Sequence, residues 1–308
     1  MLLITCAYGK VGRQIVPYLA KKGFDIRAID MNPDIKKFEQ QGVKETLVGD
    51  SRDPKFVAEA MKGVDRVLYI PPQFTYQEAK MGRIAIDAAI DAKVSKFVYL
   101  SCMYPNMSTL LQHRMKAKDE QYLLYRGFES GLDWSVLRPS TYHQNIFMKM
   151  FYDMGEYPSM CDIDKLVSWV DPLDVADCAI KMLTEDGYKY AIYTCSNESM
   201  TPRDVATIMS KVSGKEITPI SVPEDKLVEY WPDYFAGSDS FATETFYALR
   251  KTYNKWGWAG NNKQLIELLD HKPRSVANWC ARQLVANDIK PTVSVEDTEK
   301  TSNSFDLF

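Results

Sequence analysis

Two glycines near the N-terminus, Gly9 and Gly12, stand in the run Cys6-Ala7-Tyr8-Gly9-Lys10-Val11-Gly12, between an apolar stretch and a helical pattern. Glycine at such a place permits a tight turn and lets backbone N–H groups approach an anion that a Cβ would hinder. The helix that follows aims its positive N-terminal end at the same point, which suits a dinucleotide pyrophosphate. Thr5, Ala7, Tyr8, Gly9, Lys10, Val11 and Gly12 are therefore candidate cofactor-binding residues. A second chemical signal is Asp30, in Ile29-Asp30-Met31-Asn32-Pro33 at the end of the next apolar run. A carboxylate there accepts both ribose hydroxyls of NAD and repels a 2′-phosphate, so NAD is slightly favoured over NADP. Arg27, Lys36 and Lys37 are near in sequence and argue the other way, as partners for a phosphate. The plain alternative is that Asp30 opens a turn continued by Asn32 and Pro33.

These residues need a scaffold, and the first half of the chain supplies its pattern. Apolar runs at Leu2–Cys6, Asp25–Asp30, Glu45–Val48, Arg66–Ile70, Lys96–Ser101 and Trp134–Arg138 read as strands. Helical stretches at Val11–Lys21, Pro33–Gln41, Pro54–Met61, Gln77–Ala92 and Met115–Tyr125 alternate with them. The alternation predicts an α/β fold, a parallel sheet doubly wound by helices in the Rossmann manner. After Pro139 the chain grows richer in Tyr, Trp, Met and Pro. Helices are expected at Pro172–Thr184, Thr201–Ser213, Phe241–Tyr253, Lys263–Leu269 and Ser275–Leu284, with strands at Ala191–Cys195 and Ile217–Ser221. The expected organisation is a dinucleotide-binding domain over 1–140, completed by 165–196, and a smaller mixed α/β C-terminal cap over 141–287 on the sheet's carboxyl edge. The polar segment 288–308 lacks an apolar period and reads as a disordered tail. Trp231, Tyr234, Phe235, Phe241, Phe246, Tyr247, Trp256 and Trp258 crowd the cap, either as ordinary packing or as the wall of a pocket for an apolar or aromatic small molecule.

The loop and the fifth strand together resemble a known pattern. Spaced as G-x-x-G-x-x-G, the loop is similar to the short-chain dehydrogenase fingerprint with Cys6 in place of its first glycine, a change tolerable where the backbone has negative φ. In that superfamily a Ser ends the fifth strand and Tyr-x-x-x-Lys follows on the next helix, the Lys lowering the Tyr pKa. Here Phe97-Val98-Tyr99-Leu100-Ser101 supplies the strand and the serine, but the residue four before Lys116 is Gln112. Lys116-Ala117 and Glu120 form a K-A-x-x-E pattern, and Ser130–Pro139, Asn145 and Val170–Asp177 match further elements of the NmrA-like, atypical branch, over about Met1–Leu183. Beyond that, 271–275 is similar to fungal members. The resemblance implies that Lys116 bonds the nicotinamide ribose; the plain reading pairs it with Glu120 one turn on. It also implies that Asp50 lines the adenine, and that Ile70, Pro71 and Ser101 sit by the cofactor. Without the tyrosine, a proton donor must come from elsewhere, and Tyr104, His113, Tyr142 and His143 fall on segments expected at the sheet's carboxyl edge. The candidate catalytic residues are therefore Lys116, Tyr104 and Tyr142. Tyr-x-x-x-Lys recurs at Tyr18–Lys22, Tyr76–Lys80 and Tyr247–Lys251, but none of these follows the fifth strand.

Composition narrows the remaining classes. A formal charge of −3 with 26% charged residues gives no electrostatic reason to expect nucleic acid. No apolar run reaches the roughly 20 residues of a membrane span, and the N-terminus enters a strand directly, so a cytoplasmic protein is expected. The six cysteines are scattered without C-x-x-C, and no metal site is expected. Three functions stay open. The first is an NAD(P)-dependent reductase of a carbonyl, enone or quinone-like molecule. The second is a redox-sensing regulator that binds a dinucleotide without turnover and contacts a protein partner. The third, favoured by Cys6, is a non-redox cyclase, isomerase or dehydratase.

Overall fold

Strands buried on both faces read as continuous apolar runs, and the first one, Leu-Leu-Ile, is wholly buried. In the computed structural model, which describes residues 1–236 and 240–308, it is β1 (Leu2–Ile4). It leads into α1 (Gly12–Lys21), β2 (Ile26–Asp30), β3 (Glu45–Val48), α2 (Pro54–Ala60), β4 (Arg66–Tyr69), α3 (Glu78–Asp91), β5 (Lys96–Leu100), α4 (Leu111–Ser130) and β6 (Trp134–Pro139). Further along come β7 (Thr141–Tyr142), α5 (Met148–Met154), β8 (Glu156–Ser159), β9 (Val167–Val170), α6 (Pro172–Thr184) and β10 (Ala191–Cys195), the last two as their sequence pattern predicts.

The seven-stranded sheet has the order β10-β6-β5-β4-β1-β2-β3. β1 lies between β2 and β4, parallel to both, with Leu3 opposite Arg27 on one side and Val67 on the other. The chain thus winds outward from β1 to β3, returns, and winds the other way from β4. That reversal opens a crevice outside the carboxyl ends of β1 and β4, the place where such sheets bind ligands. Leu3, Ile29, Val67, Phe97 and Val136 from the strands meet Val57, Ile86, Ala89 and Leu123 from the helices in one core.

Two local expectations are corrected. Residues 33–41 form a 3-10 helix, capped by Asn32 and closed at Gly42, and its buried side chains Ile35 and Phe38 are three apart, as a three-residue turn requires. The helix expected over Met115–Tyr125 is longer, because α4 runs on to Gly131, whose φ of 76° ends it.

The chain divides into two compact units, Met1–Pro139 with Val175–Tyr193, and Ser140–Asp174 with Thr194–Phe308. The second contains β11 (Ser199–Met200), α7 (Pro202–Ser213), β12 (Thr218–Ser221), α8 (Leu227–Tyr230), α9 (Ser240–Trp256), α10 (Lys263–Leu268), α11 (Val276–Val285) and α12 (Val295–Thr298). β11, β9 and β7 make a three-stranded sheet, and β12 pairs in parallel with β8. Its aromatic residues pack on one another: Phe246 is buried, with the rings of Trp231, Tyr234 and Phe235 between 4.9 and 5.6 Å away.

The segment expected to be a disordered tail is instead built into this unit. Buried Glu198 accepts hydrogen bonds from the backbone N–H of Val276 and of Ser304 and from the Ser304 hydroxyl, and Thr298 accepts one from Asn278. A few polar side chains thus anchor a segment with no apolar period. Among the described residues no helix is long and apolar enough to cross a membrane.

Candidate functional site

The loop between β1 and α1 is held from below by Ala7 N–H to the Ile29 carbonyl (3.1 Å) and closed on itself by Gly9 N–H to the Cys6 carbonyl (3.1 Å). A Cβ on Gly12 would lie 2.3 Å from the Ala7 carbonyl oxygen, so only glycine fits where the loop enters the helix. Val11, the N-cap of α1, provides no side-chain cap, and the first turn carries no acid. The N–H groups of Arg13 and Gln14 are taken by the carbonyls of Gly9 and Val11, so what α1 offers at its start is the positive end of its dipole, with no side chain of its own first turn to neutralise it.

Cys6 has φ 45°, in the left-handed region. The condition under which a cysteine would be readily tolerated there, a negative φ, is not met: the loop keeps the backbone shape a glycine would supply, at a strain of about 1–3 kcal/mol. Burial and the charges of Asp30 and Glu78 push the Cys6 thiol up to about 12, so it stays protonated.

Asp30 is tied to the loop. Its Oδ2 accepts from Tyr8 N–H and its Oδ1 from Asn32 N–H, each at 2.9 Å. The turn reading and the loop reading thus hold together, and lone pairs remain for a further donor. Tyr8 packs against Phe38 and lies under the Arg13 guanidinium. Of the nearby cations, Arg27 is committed to Glu45 and to the carbonyls of Ala60 and Lys62, and Lys37 to Asp34.

The other residues with expected roles are placed as follows. The Thr5 hydroxyl donates to the Ile70 carbonyl and accepts from Ile70 N–H, both at 2.8 Å, and so fastens the end of β1 to that of β4, ahead of Pro71. Asp50 pairs with Arg52, whose hydrogen bonds hold its carboxyl below the ordinary value. Ser101 donates to Glu120, which also receives two bonds from Arg138. The expected Lys116–Glu120 pair therefore does not form. Lys116 instead donates to Glu78 at 2.7 Å, with both side chains buried. Burial is the strongest single influence on Lys116 and would lower its pKa, but the charge and hydrogen bond of Glu78, with the acidic groups of Cys102 and Asp119, together outweigh it and keep the ammonium protonated. The Lys116 charge acts on both Cys6 and Cys102, which follow β1 and β5, so the ammonium lies by the carboxyl ends of those strands.

Tyr104 is half exposed at φ 54°, and its carbonyl accepts from or lies beside His113 Nδ1 at 3.2 Å. Burial pushes His113 down to about 4, so it is neutral near pH 7. Tyr142 and His143 belong to the second unit, on β7 and just after it, and His143 Nδ1 faces Asp171 at 3.3 Å in the core. Tyr76 is 58% exposed, and Tyr18 and Lys22 share Asp177.

Sequence reading missed Glu78 and Asp119. The one available signal was Gly82, a glycine inside a helix, which costs about 1 kcal/mol against alanine and so asks for a reason. A Cβ there would lie 2.4 Å from the Asp119 carboxyl group.

A parallel sheet in this order, with a glycine loop at its reversal point, defines a dinucleotide-binding fold of the Rossmann type. Within it, this chain belongs to the NmrA-like family, whose sequence model matches residues 1–280. It is 25% identical to an NAD(P)H azoreductase of Xenophilus azovorans over 72% of this chain and 77% of that protein. It is 26% identical to quinone oxidoreductase 2 of Escherichia coli K12 over 71% of this chain and 76% of that one. A crystal structure of the Escherichia coli NADPH-dependent quinone oxidoreductase in complex with NADPH superposes with a TM-score of 0.72. The alignment covers 92% of this chain and 100% of that one at 22% identity, a likeness of fold.

Proposed function

We propose that this protein is an NAD(P)-dependent reductase of a small electrophilic molecule of the carbonyl, enone or quinone-like class. The observation that carries the reading is the β1–α1 loop. Gly12 admits no Cβ, α1 has no capping side chain, and Cys6 adopts a glycine-like φ despite its side chain. A loop held in a strained shape beside an uncapped helix end fits a pyrophosphate. When bound, the nicotinamide supplies a hydride. Gly9, Gly12 and their neighbours hold the pyrophosphate, Asp30 the ribose with a preference for NAD over NADP, and Lys116 the nicotinamide ribose. The relatives that reduce quinones and azo compounds support the substrate class.

The absence of a tyrosine four residues before Lys116, where Gln112 stands, favours a second reading, a regulator that binds the dinucleotide without turnover and signals to a protein partner. Calorimetric titration of the full chain with NADH and NADPH, followed by turnover assays with quinone and azo acceptors, separates the two. Binding with acceptor-dependent cofactor oxidation supports the reductase. Binding that distinguishes oxidised from reduced cofactor without any turnover supports the regulator, and no binding overturns both.

A further inference from the structure

Beside Lys116 lies a set of buried polar groups that holding a cofactor does not account for. α3 and α4 pack side by side, and Glu78 and Gly82, one turn apart on α3, meet Lys116 and Asp119 on α4. One oxygen of Glu78 accepts from the Lys116 ammonium at 2.7 Å, and the other has no hydrogen-bond partner. One oxygen of Asp119 accepts from the Tyr99 hydroxyl at 3.2 Å, and its other oxygen has none. Nor does the hydroxyl of Tyr69, whose ring stacks on Tyr99. Glu78 and Asp119 are fully buried, and room for Asp119 exists only because residue 82 has no side chain.

Two carboxyls thus share one ammonium in the core. Two buried negative charges against one positive would leave one uncompensated, a state proteins avoid by protonating one acid. The two acids are not equivalent, since the hydrogen bond from Lys116 goes to Glu78.

We propose that Glu78 is the positioning residue that holds the Lys116 ammonium for the dinucleotide. This rests on the assignment of Lys116 to the nicotinamide ribose. Asp119 is the neutral neighbour that leaves Glu78 as the sole counter-charge. The charged and titratable groups that act on Asp119 are Tyr99 from β5, Tyr69 from β4, Glu78 and Arg83 from α3, and Lys116 from its own helix. Burial, reinforced by the Glu78 charge, pushes Asp119 up to about 8, while Lys116 acts in the opposite sense. Above that pH a second carboxylate competes for the ammonium, and Lys116 is drawn back from the ligand.

The test compares full-length wild type with E78Q, D119N and K116A, measuring NADH and NADPH affinity by titration from about pH 6 to about pH 9, with circular dichroism as a check of folding. E78Q is expected to weaken dinucleotide binding roughly tenfold, about 1.4 kcal/mol, approaching the loss in K116A. Wild-type affinity is expected to fall above about pH 8, and D119N to abolish that fall. An infrared spectrum at neutral pH is expected to show a protonated-carboxyl band that D119N removes, a readout independent of cofactor. A folded E78Q that binds as wild type while K116A does not would overturn the positioning role alone. A K116A that binds as wild type would overturn the Lys116 assignment and this proposal with it. Should E78Q fail to fold, a wild type without the carboxyl band, or with the same pH profile as D119N, overturns the proposal.

Discussion

Replacing Asp119 by asparagine should change how stability depends on pH, by an amount the structure allows to be worked out. The carboxyl titrates at its ordinary 3.8 when exposed and is pushed up to about 8 in the fold, mainly by burial and then by the Glu78 charge. Between those values the folded chain binds a proton that the unfolded chain has released, so stability falls as pH rises. The contribution is complete below the unfolded value and lost as pH rises through the folded one. Each pH unit in that window removes about 1.4 kcal/mol, and the whole window is worth on the order of 6 kcal/mol. Asparagine fits the same space and does not titrate. Urea unfolding followed by the fluorescence of Trp134, buried in the same unit, should therefore show the stability of wild type relative to D119N declining steadily from about pH 5 to about pH 8 and levelling above it. Taking the difference between the two proteins cancels the titration of other groups. Parallel curves across that range would mean that Asp119 is ionised in the fold, and the account of a neutral acid beside Glu78 would be wrong.

Three further outcomes are expected. Gly12→Ala puts a Cβ 2.3 Å from a backbone carbonyl that cannot turn away, and calorimetry should show dinucleotide affinity reduced at least about 100-fold; unchanged affinity would refute the loop assignment. Cys6→Gly relieves a φ of 45° but loosens the unfolded chain, so thermal unfolding should show a net gain of about 1 kcal/mol, and a loss would mean that the thiol's packing outweighs the strain. Glu198→Ala leaves the buried N–H groups of Val276 and Ser304 without their acceptor, which should cost about 2–4 kcal/mol and open 288–308 to proteolysis; resistance equal to wild type would show that the segment is held by other contacts.

The parts of the fold that local chemistry controls were legible in the chain itself. Runs such as Leu2–Ile4 and Phe97–Leu100 are apolar throughout because a central parallel strand is buried on both faces. Gly9 and Gly12 marked the turn between β1 and α1, and Pro172 and Ala191 opened α6 and β10 where the pattern placed them. Strands of two residues, such as Thr141–Tyr142 and Ser199–Met200, are too short to show an alternation and left no trace. The partner of Lys116 was equally hidden. Glu120 is its neighbour along the helix, but the packing of α3 on α4 brings up Glu78 from 38 residues away, while Arg138 and Ser101 take Glu120 instead. The same is true of residue 6, whose identity is written in the chain but whose left-handed φ is imposed by the return of the loop onto Ile29 and Gly9. A sequence specifies spacing along one element. Which charges meet, which acid keeps its proton and which residue bears strain depend on how distant elements pack, because burial and charge act through space rather than along the chain.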